Sequence, residues 1–505
     1  PPRRVVINEA VCEGCGDCGL ASNCLSVTPV ETEFGLKRQI DQSSCNTDMS
    51  CLNGFCPSFV TVEGAALRKP ERQDHIPTAR PLPEPDRPGL ETPWSIVIAG
   101  VGGTGVITLA QILGWAAHID GRGVAVLDQI GLAQKYGGVT SHVRIARDPA
   151  GLHASKIGVG EADLLLGCDL VQSGSAEVLA CSDAASTTAM INSHGAPTGD
   201  FTRHPDATVP VDAILRRVAE ATQETKHHDL THWATALFGD SIAANMMLLG
   251  AAYQAGWLPL SPQAIDQAIM LNAVAVDLNR RAFAAGRLAV VDPDAILAAI
   301  RESRPEAEHR RLSSTLDESV QRRAEHLRLY QDASLAYRYT TMIDYVRATE
   351  AACDPTGTGL TEAVARSYHK VLAIKDEYEV ARLFQDTDFR RMLSETFEPG
   401  GRVYLHLAPP LLSRTNPATG RPQKIRFGAW VLPIMAMIAR FKSLRGTRLD
   451  PFGYSVERRA ERALIDLYED DLSFILSDLT EANLELATAL AALPQNIKGF
   501  GPVKM

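Results

Sequence analysis

Long apolar runs are missing from this chain of 505 residues. Crossing a bilayer takes about 20 consecutive apolar residues, and the best stretch, Trp430 to Ala439, falls well short and contains Pro433. No membrane partner is therefore expected. A signal-peptide pattern is missing too. Pro1-Pro2-Arg3-Arg4 runs into a strand-like segment with no apolar h-region behind it. With no initiator Met, the expectation is a piece of something longer, working in the cytoplasm. Excess positive charge is absent: the net charge of −10 argues against nucleic acid as a partner. No repeat of fixed period appears. Cysteine is scarce over most of the length, with only Cys168, Cys181 and Cys353 beyond residue 56.

The other seven of the 10 cysteines are crowded between Cys12 and Cys56. A disulfide framework is one explanation for such density. An odd number in the cluster, ahead of what reads as an α/β enzyme, points instead to metal ligation. The first motif is Cys12-Glu-Gly-Cys15-Gly-Asp-Cys18, followed by Cys24. Cysteines at this spacing wrap one face of a cubane, and Gly14 and Gly16 leave room for inorganic sulfide. The second motif is Cys45-Asn-Thr-Asp48-Met-Ser-Cys51-Leu-Asn-Gly-Phe-Cys56-Pro57. Bacterial ferredoxins send the fourth cysteine of each run to the other cluster. Crossing the motifs that way assigns Cys12, Cys15, Cys18 and Cys56 to one [4Fe–4S] cluster. The other takes Cys24, Cys45 and Cys51, with Asp48 as a hard oxygen ligand or with an open corner, as in [3Fe–4S]. A zinc ribbon is the competing metal site.

About three domains are expected at ~150 residues each. Residues 1–69 form the cysteine-rich module, and 70–93, with seven prolines, read as an extended linker. Residues 94–291 alternate strands (Ser95–Ala99, Gly123–Leu127, Ser141–Ile145, Ala162–Leu166, Thr188–Ile191) with helical stretches at Val106–Ile119, Leu230–Ala255 and Ala264–Ala285. That alternation predicts a doubly wound, mostly parallel sheet. Residues 292–505 read as mainly helical, with Val403–Leu407 as a strand. The fold class is α/β overall: a ferredoxin-like module, a doubly wound domain, then a helical domain.

Gly100-Val-Gly102-Gly103-Thr-Gly105 follows a strand and opens a helix, and Asp128 ends the next strand. This is the setting of a dinucleotide fingerprint, with glycines against a pyrophosphate and the acid on a ribose. An NAD(P)- or flavin-dependent iron–sulfur reductase subunit is therefore one reading. The bland alternative is that the glycines let strand and helix pack closely. The polar loop after Asp128, carrying Lys135, Tyr136 and His142, is unlike a dehydrogenase and suits a partner or ligand.

The cysteine module, with Ile40-Asp-Gln-Ser-Ser-Cys45 and Gly54-Phe-Cys56-Pro57, resembles the ferredoxin segment of the fused indolepyruvate ferredoxin oxidoreductases. Gly100–Ile107, Gly131–Lys135 and Ser141–Ile145 resemble the gamma-type domain of 2-oxoacid:ferredoxin oxidoreductases. Lys375–Ala381, His406–Pro410, Asp450–Tyr454 and Ile497–Gly501 are similar to that family's C-terminal extension. The resemblance implies oxidative decarboxylation of arylpyruvates with coenzyme A to acyl-CoA and CO2, reducing ferredoxin. It implies thiamine diphosphate and Mg in partner domains and a homodimer of the whole assembly. No thiamine-binding segment is found here, so the chain is expected to be the electron-transfer and assembly portion, inactive in decarboxylation alone. In that setting Lys135, Tyr136 and His142 would face a neighbouring thiamine site, and Gly100, Gly102, Gly103 and Gly105 a cofactor. The basic stretches Arg414–Arg426 and Arg440–Arg448 read either as CoA- or ferredoxin-facing or as structural. His227, His228 and His232 read as a solvated helix start, and Cys168 as a buried small hydrophobe.

Overall fold

The computed structural model describes residues 3–68, 82–131, 137–196, 198–204, 206–303, 310–385, 387–409, 413–414 and 420–504. In chain order its first strands are β1 (Arg3–Ile7), β2 (Val27–Val30), β3 (Lys37–Ile40) and β4 (Phe59–Glu63). Then come β5 (Trp94–Val101), β6 (Gly123–Ile130), β7 (Gly138–Ala146), β8 (Leu164–Gly167), β9 (Thr188–Asn192) and β10 (Glu224–His228). The last two are β11 (Arg402–Leu407) and β12 (Ile425–Gly428).

The chain forms two compact units, where the sequence suggested three domains. One comprises Pro1–Arg68, Gly199–Ala207 and Glu306–Met505, and the other Lys69–Thr198 and Thr208–Pro305. The cysteine module and the helical region are thus a single unit, because β4 is shared. It pairs antiparallel with β1 on one side and with β11 on the other, giving a sheet of order β1-β4-β11-β12.

Strand alternation explains how that sheet serves two cores. Successive side chains point to opposite faces. Val5, Ile7 and Phe59 turn toward the cysteine loops, and Val6, Val60, Val62 and Leu405 toward Phe384, Phe389 and Met435. A separate helical core joins Leu327, Tyr339, Ile343, Leu360, Tyr368 and Leu472.

Beside it, Glu379 is fully buried yet ionised. Burial alone would raise its pKa, but Arg382 (2.7 and 2.8 Å) and His326 (3.3 Å) hold it well below the carboxylate range. A depressed carboxylate stabilises the fold above its unfolded pKa and stops doing so as pH falls. Denaturant midpoints are therefore expected to drop on going below about pH 4.5, and the drop should be shallower in Glu379→Gln.

The second unit has a sheet of order β10-β9-β8-β5-β7-β6. Strands β5, β8, β9 and β10 run parallel, and β7 lies antiparallel between β5 and β6. Both faces are covered. Ile96, Ile98, Leu164, Leu166 and Met190 meet helices Val106–Ile119 and Ala244–Gln254. Val97, Ala99, Leu165, Ala189 and Ile191 meet helix Val211–Glu220. The doubly wound expectation holds, with one strand reversed.

Some elements differ from the sequence expectation. The stretch 230–255 is two helices, Leu230–Phe238 and Ala244–Gln254, because Gly239 turns left-handed. Helices Pro262–Asn272 and Val276–Val291 are separated at Ala273 and Ala275, also left-handed. His227 and His228 lie in β10, and the following helix starts at Leu230 under an Asp229 cap. No helix among the described residues is long and apolar enough to cross a membrane.

Candidate functional site

The cysteine loops hang from the ends of β1 and β4. Asn8 Oδ1 accepts the amides of Ala10 and Val11 (3.1 and 3.4 Å) and turns the chain into the first motif. Gly14 has φ +69°, and a Cβ there would sit 2.0 Å from the Leu36 carbonyl oxygen. Glycine is therefore required both by conformation and by space. Beyond it, Cys18 lies on the short helix Asp17–Ser22, whose buried Asp17 accepts the Phe55 amide at 2.6 Å. A Cβ on Gly54 would come within 2.7 Å of Cys18 Cα. The two motifs are thus held together by backbone, which sequence spacing alone does not reveal.

All 10 cysteines are free thiols. For the seven between Cys12 and Cys56, two sets of electrostatic neighbours can be told apart. Burial pushes Cys18 well above its ordinary value, and Cys12, Cys56 and Cys15 push it further. Burial and the charges of Cys12 and Cys15 bring Cys56 up to about 12. In the other group, burial followed by Cys24, Cys45 and Asp48 raises Cys51 to about 12. Cys18 thus has Cys12, Cys15 and Cys56 as electrostatic neighbours, and Cys51 has Cys24, Cys45 and Asp48. Asp48 is exposed, and its Oδ1 accepts the Ser50 amide and hydroxyl (2.9 and 2.7 Å). Among the described residues no group of three or more His, Cys, Asp and Glu side chains is placed to hold a metal ion.

Cations from the helical region surround these loops. Lys424 Nζ donates to the Gly54 carbonyl and lies 4.6 Å over the Phe59 ring. Arg421 pairs with Asp17 at 3.1 Å, and Lys375 Nζ reaches the Cys12 carbonyl at 2.8 Å. Sequence reasoning flagged the basic stretches but not what they face. Arg426 pairs with Glu63 (2.7 Å), and Arg445 is buried on Asp376 (2.6 Å) and over Tyr330 (3.7 Å). These side chains are structural.

The glycine loop opens helix Val106–Ile119 as expected, with Gly103 and Gly105 at φ +87° and +94°. Gly100 belongs to β5, where a Cβ would meet Val106 Cγ2 at 2.5 Å and Cys168 Cβ at 3.0 Å. Close strand–helix packing explains it, and Cys168 is the buried hydrophobe expected. The Gly102 amide is engaged by the Gly137 carbonyl at 2.8 Å. Asp128 does not end its strand: it sits within β6, opposite Ser141, and accepts that hydroxyl. One oxygen of its carboxylate is engaged by the neighbouring strand, and the residue is not at the strand end where the dinucleotide setting puts its acid.

His142 is also corrected. It sits in β7, 2% exposed. Nδ1 accepts the Ile157 amide (3.3 Å), so Nε2 carries the proton and donates to Gln129 Oε1 at 3.1 Å. Burial, then Lys156 and Arg144, lowers its pKa, so the ring is neutral. It braces the sheet and does not face outward. Lys135 and Tyr136 lie outside the described residues.

Residues 95–289 match the family model of pyruvate ferredoxin/flavodoxin oxidoreductase, and residues 316–505 match a family of unknown function (DUF6537). The six-stranded unit is thus a domain of the 2-oxoacid:ferredoxin oxidoreductase class. Indolepyruvate oxidoreductase subunit IorB of Pyrococcus horikoshii is 30% identical over 197 residues, 38% of this chain and 94% of that protein. The subunit of the same name from Thermococcus kodakarensis is 28% identical over the same shares. A solved gamma subunit of a keto/oxoacid ferredoxin oxidoreductase from Geobacter sulfurreducens aligns with 22% identity and TM-score 0.28, over 39% of this chain and 98% of its own. The chain belongs to the family of the indolepyruvate oxidoreductase subunits.

Proposed function

We propose that this chain is the electron-transfer and assembly portion of an arylpyruvate:ferredoxin oxidoreductase, carrying two unequal iron–sulfur clusters. The observation that supports it is that Cys18 and Cys56 lie in the field of Cys12 and Cys15, whereas Cys51 lies in that of Cys24, Cys45 and Asp48. The donor chemistry fits: soft thiolates suit iron–sulfur clusters. Cys12, Cys15, Cys18 and Cys56 would hold a [4Fe–4S] cluster. Cys24, Cys45 and Cys51 would hold a second, completed by Asp48 or left as [3Fe–4S]. Such clusters, when bound, pass single electrons.

The chain's own residues set their surroundings. Burial excludes water from Cys12, Cys18, Cys51 and Cys56. Lys424 and Lys375 place positive charge beside the loops, which favours a reduced, more negative centre.

Thiamine diphosphate with Mg, and coenzyme A as co-substrate, belong on this reading to partner domains or a partner subunit. Ferredoxin is the acceptor, the complete assembly a homodimer, and its setting the cytoplasm, where cysteines stay reduced. The glycine loop from Gly100 to Gly105 would lie toward that partner. The test is co-purification with a thiamine-containing partner, restored indolepyruvate-dependent ferredoxin reduction, and iron and sulfide counts for two clusters. Zinc in place of iron would overturn the reading. Asp48→Cys is expected to convert a three-iron or oxygen-ligated EPR signature to an ordinary [4Fe–4S]+ one. An unchanged spectrum and iron count would remove Asp48 from the site.

A further inference from the structure

Charge in the first unit is unevenly placed along the chain. Between Pro399 and Leu449 the sequence has nine lysines and arginines and no acid, and between Ala463 and Ile497 seven acids and no cation. Each stretch contributes a helix with an exposed apolar side. On helix Val431–Arg440 the buried residues are Val431 and Met435. Ile434 and Met437, with Trp430 before the helix and Phe441 after it, recur at helical spacing on another side, 41–63% exposed. On helix Val456–Ser477, Tyr468, Leu472 and Leu476 are buried, while Leu467 and Phe474, two turns apart on another side, are 55% and 75% exposed.

The rims of the two stripes carry opposite charge. Arg421, Arg426 and Arg445 are spent inside the unit on Asp17, Glu63 and Asp376. Arg440 and Arg448 are exposed and make no ion pair among the described residues. At about 3.6 residues per turn, Asp470 and Asp471 fall on either side of the Leu467–Phe474 line. Both are exposed and likewise make no ion pair among the described residues.

Single exposed apolar residues are ordinary, but contiguous stripes with polar rims mark association surfaces. What covers them follows from the charges. An acidic partner would suit only the first stripe, and a basic one only the second. A second copy of the chain brings both at once. At a net charge of −10 two copies repel in most orientations, so attraction requires a basic face turned to an acidic one.

We propose that the chain binds a second copy of itself, the apolar stripe of helix Val431–Arg440 lying on the Leu467–Phe474 side of helix Val456–Ser477 in its partner. A two-fold axis repeats the contact, so that each copy gives one basic and one acidic face. The homodimer of the proposed function thereby gains a surface. This pairing rests on the two faces alone and not on the clusters: iron and sulfide counts can fail while it holds, and the reverse.

The experiment is sedimentation equilibrium of the complete, metal-loaded chain. A dimer is expected at micromolar concentration, with Kd rising about tenfold between about 0.1 and 1 M salt. Arg440→Glu/Arg448→Glu and Asp470→Arg/Asp471→Arg should each raise Kd by about a hundredfold, because like charges then face each other twice. Mixed in equal amounts, the two variants should dimerise as tightly as the parent, since each restores what the other reversed. Phe474→Ser, which changes no charge, should weaken the dimer by about tenfold. A monomeric parent, or a dimer undiminished in both charge variants, would overturn the proposal. So would two monomeric variants that stay monomeric when mixed, which would leave the faces to other partners. Melting temperatures verify folding, and the single exchanges Arg440→Glu and Asp470→Arg repeat the test if a double variant fails to fold.

Discussion

Cys18→Ser is expected to strip one iron–sulfur centre from the chain and leave the other in place, and Cys51→Ser to do the reverse. The expectation follows from the two groups. Cys18 lies in the field of Cys12, Cys15 and Cys56, whereas Cys51 lies in that of Cys24, Cys45 and Asp48. A hydroxyl is a poorer iron ligand than a thiolate. Each thiol is buried, Cys18 and Cys51 being 7% exposed, so water does not readily substitute. Had the motifs been used in series, Cys56 would group with Cys51. Cys56→Ser then separates the two arrangements, because crossing makes it behave as Cys18→Ser does. Iron and sulfide counts with EPR of the reduced chain read the outcome. Loss of the same signal in Cys56→Ser and Cys51→Ser would sink the crossed assignment. Gly14→Ala should act in the same direction as Cys18→Ser, through the loop rather than a ligand. It forces a left-handed side chain, at about 1–2 kcal/mol, against the Leu36 carbonyl.

Much of this was readable from residues alone, and the reasons are physical. Thiols at fixed short spacing have few uses, which is why Cys12 to Cys56 stand out in the sequence. Strands buried on both faces read as continuous apolar runs, as Ser95–Ala99 and Ala162–Leu166 do. What was hidden depends on pairing across long separations. The glycine pattern at Gly100–Gly105 looked like a nucleotide site because its local context is right. Only the hairpin of β6 and β7 shows Asp128 consumed by Ser141 and His142 by Gln129 and Ile157. The sequence hides, for the same reason, that the chain beyond this region joins the cysteine module in one unit. A texture change marked a boundary, but β11 returns some 340 residues later to pair with β4. The motifs Lys375–Ala381 and Asp450–Tyr454 prove to be internal wiring. Asp376 holds Arg445, and Asp450 accepts from Tyr378, Arg462 and the amide of Gly446. The C-terminal Ile497–Gly501 segment lies on the first cysteine loop, where a Cβ on Gly499 would be 3.5 Å from Cys15 Cβ.

Arg323→Met is expected to cost about 3–5 kcal/mol, the usual result of leaving one half of a buried ion pair behind. Glu33, between β2 and β3, and Arg323, on helix Leu316–Tyr330, have side chains 4% and 5% exposed. Arg323 also donates to the Glu33 carbonyl at 2.7 Å, and the same carboxylate takes the Ser313 amide at 2.7 Å and Arg322 at 3.2 Å. Burial alone would raise the Glu33 pKa, but these hydrogen bonds lower it. Its contribution is therefore present above the unfolded value and fades as pH falls below about 4.5. Without the guanidinium the carboxylate keeps Ser313 and Arg322 but loses its one fully buried partner. At about 2–4 °C per kcal/mol for a body of this size, the melting temperature should fall by about 10 °C. The double variant Glu33→Leu/Arg323→Met should recover most of that, since two apolar side chains leave no charge uncompensated. A single variant that melts with the parent, or a double variant worse than either single, would show that the pair does not hold the cysteine module to the helices.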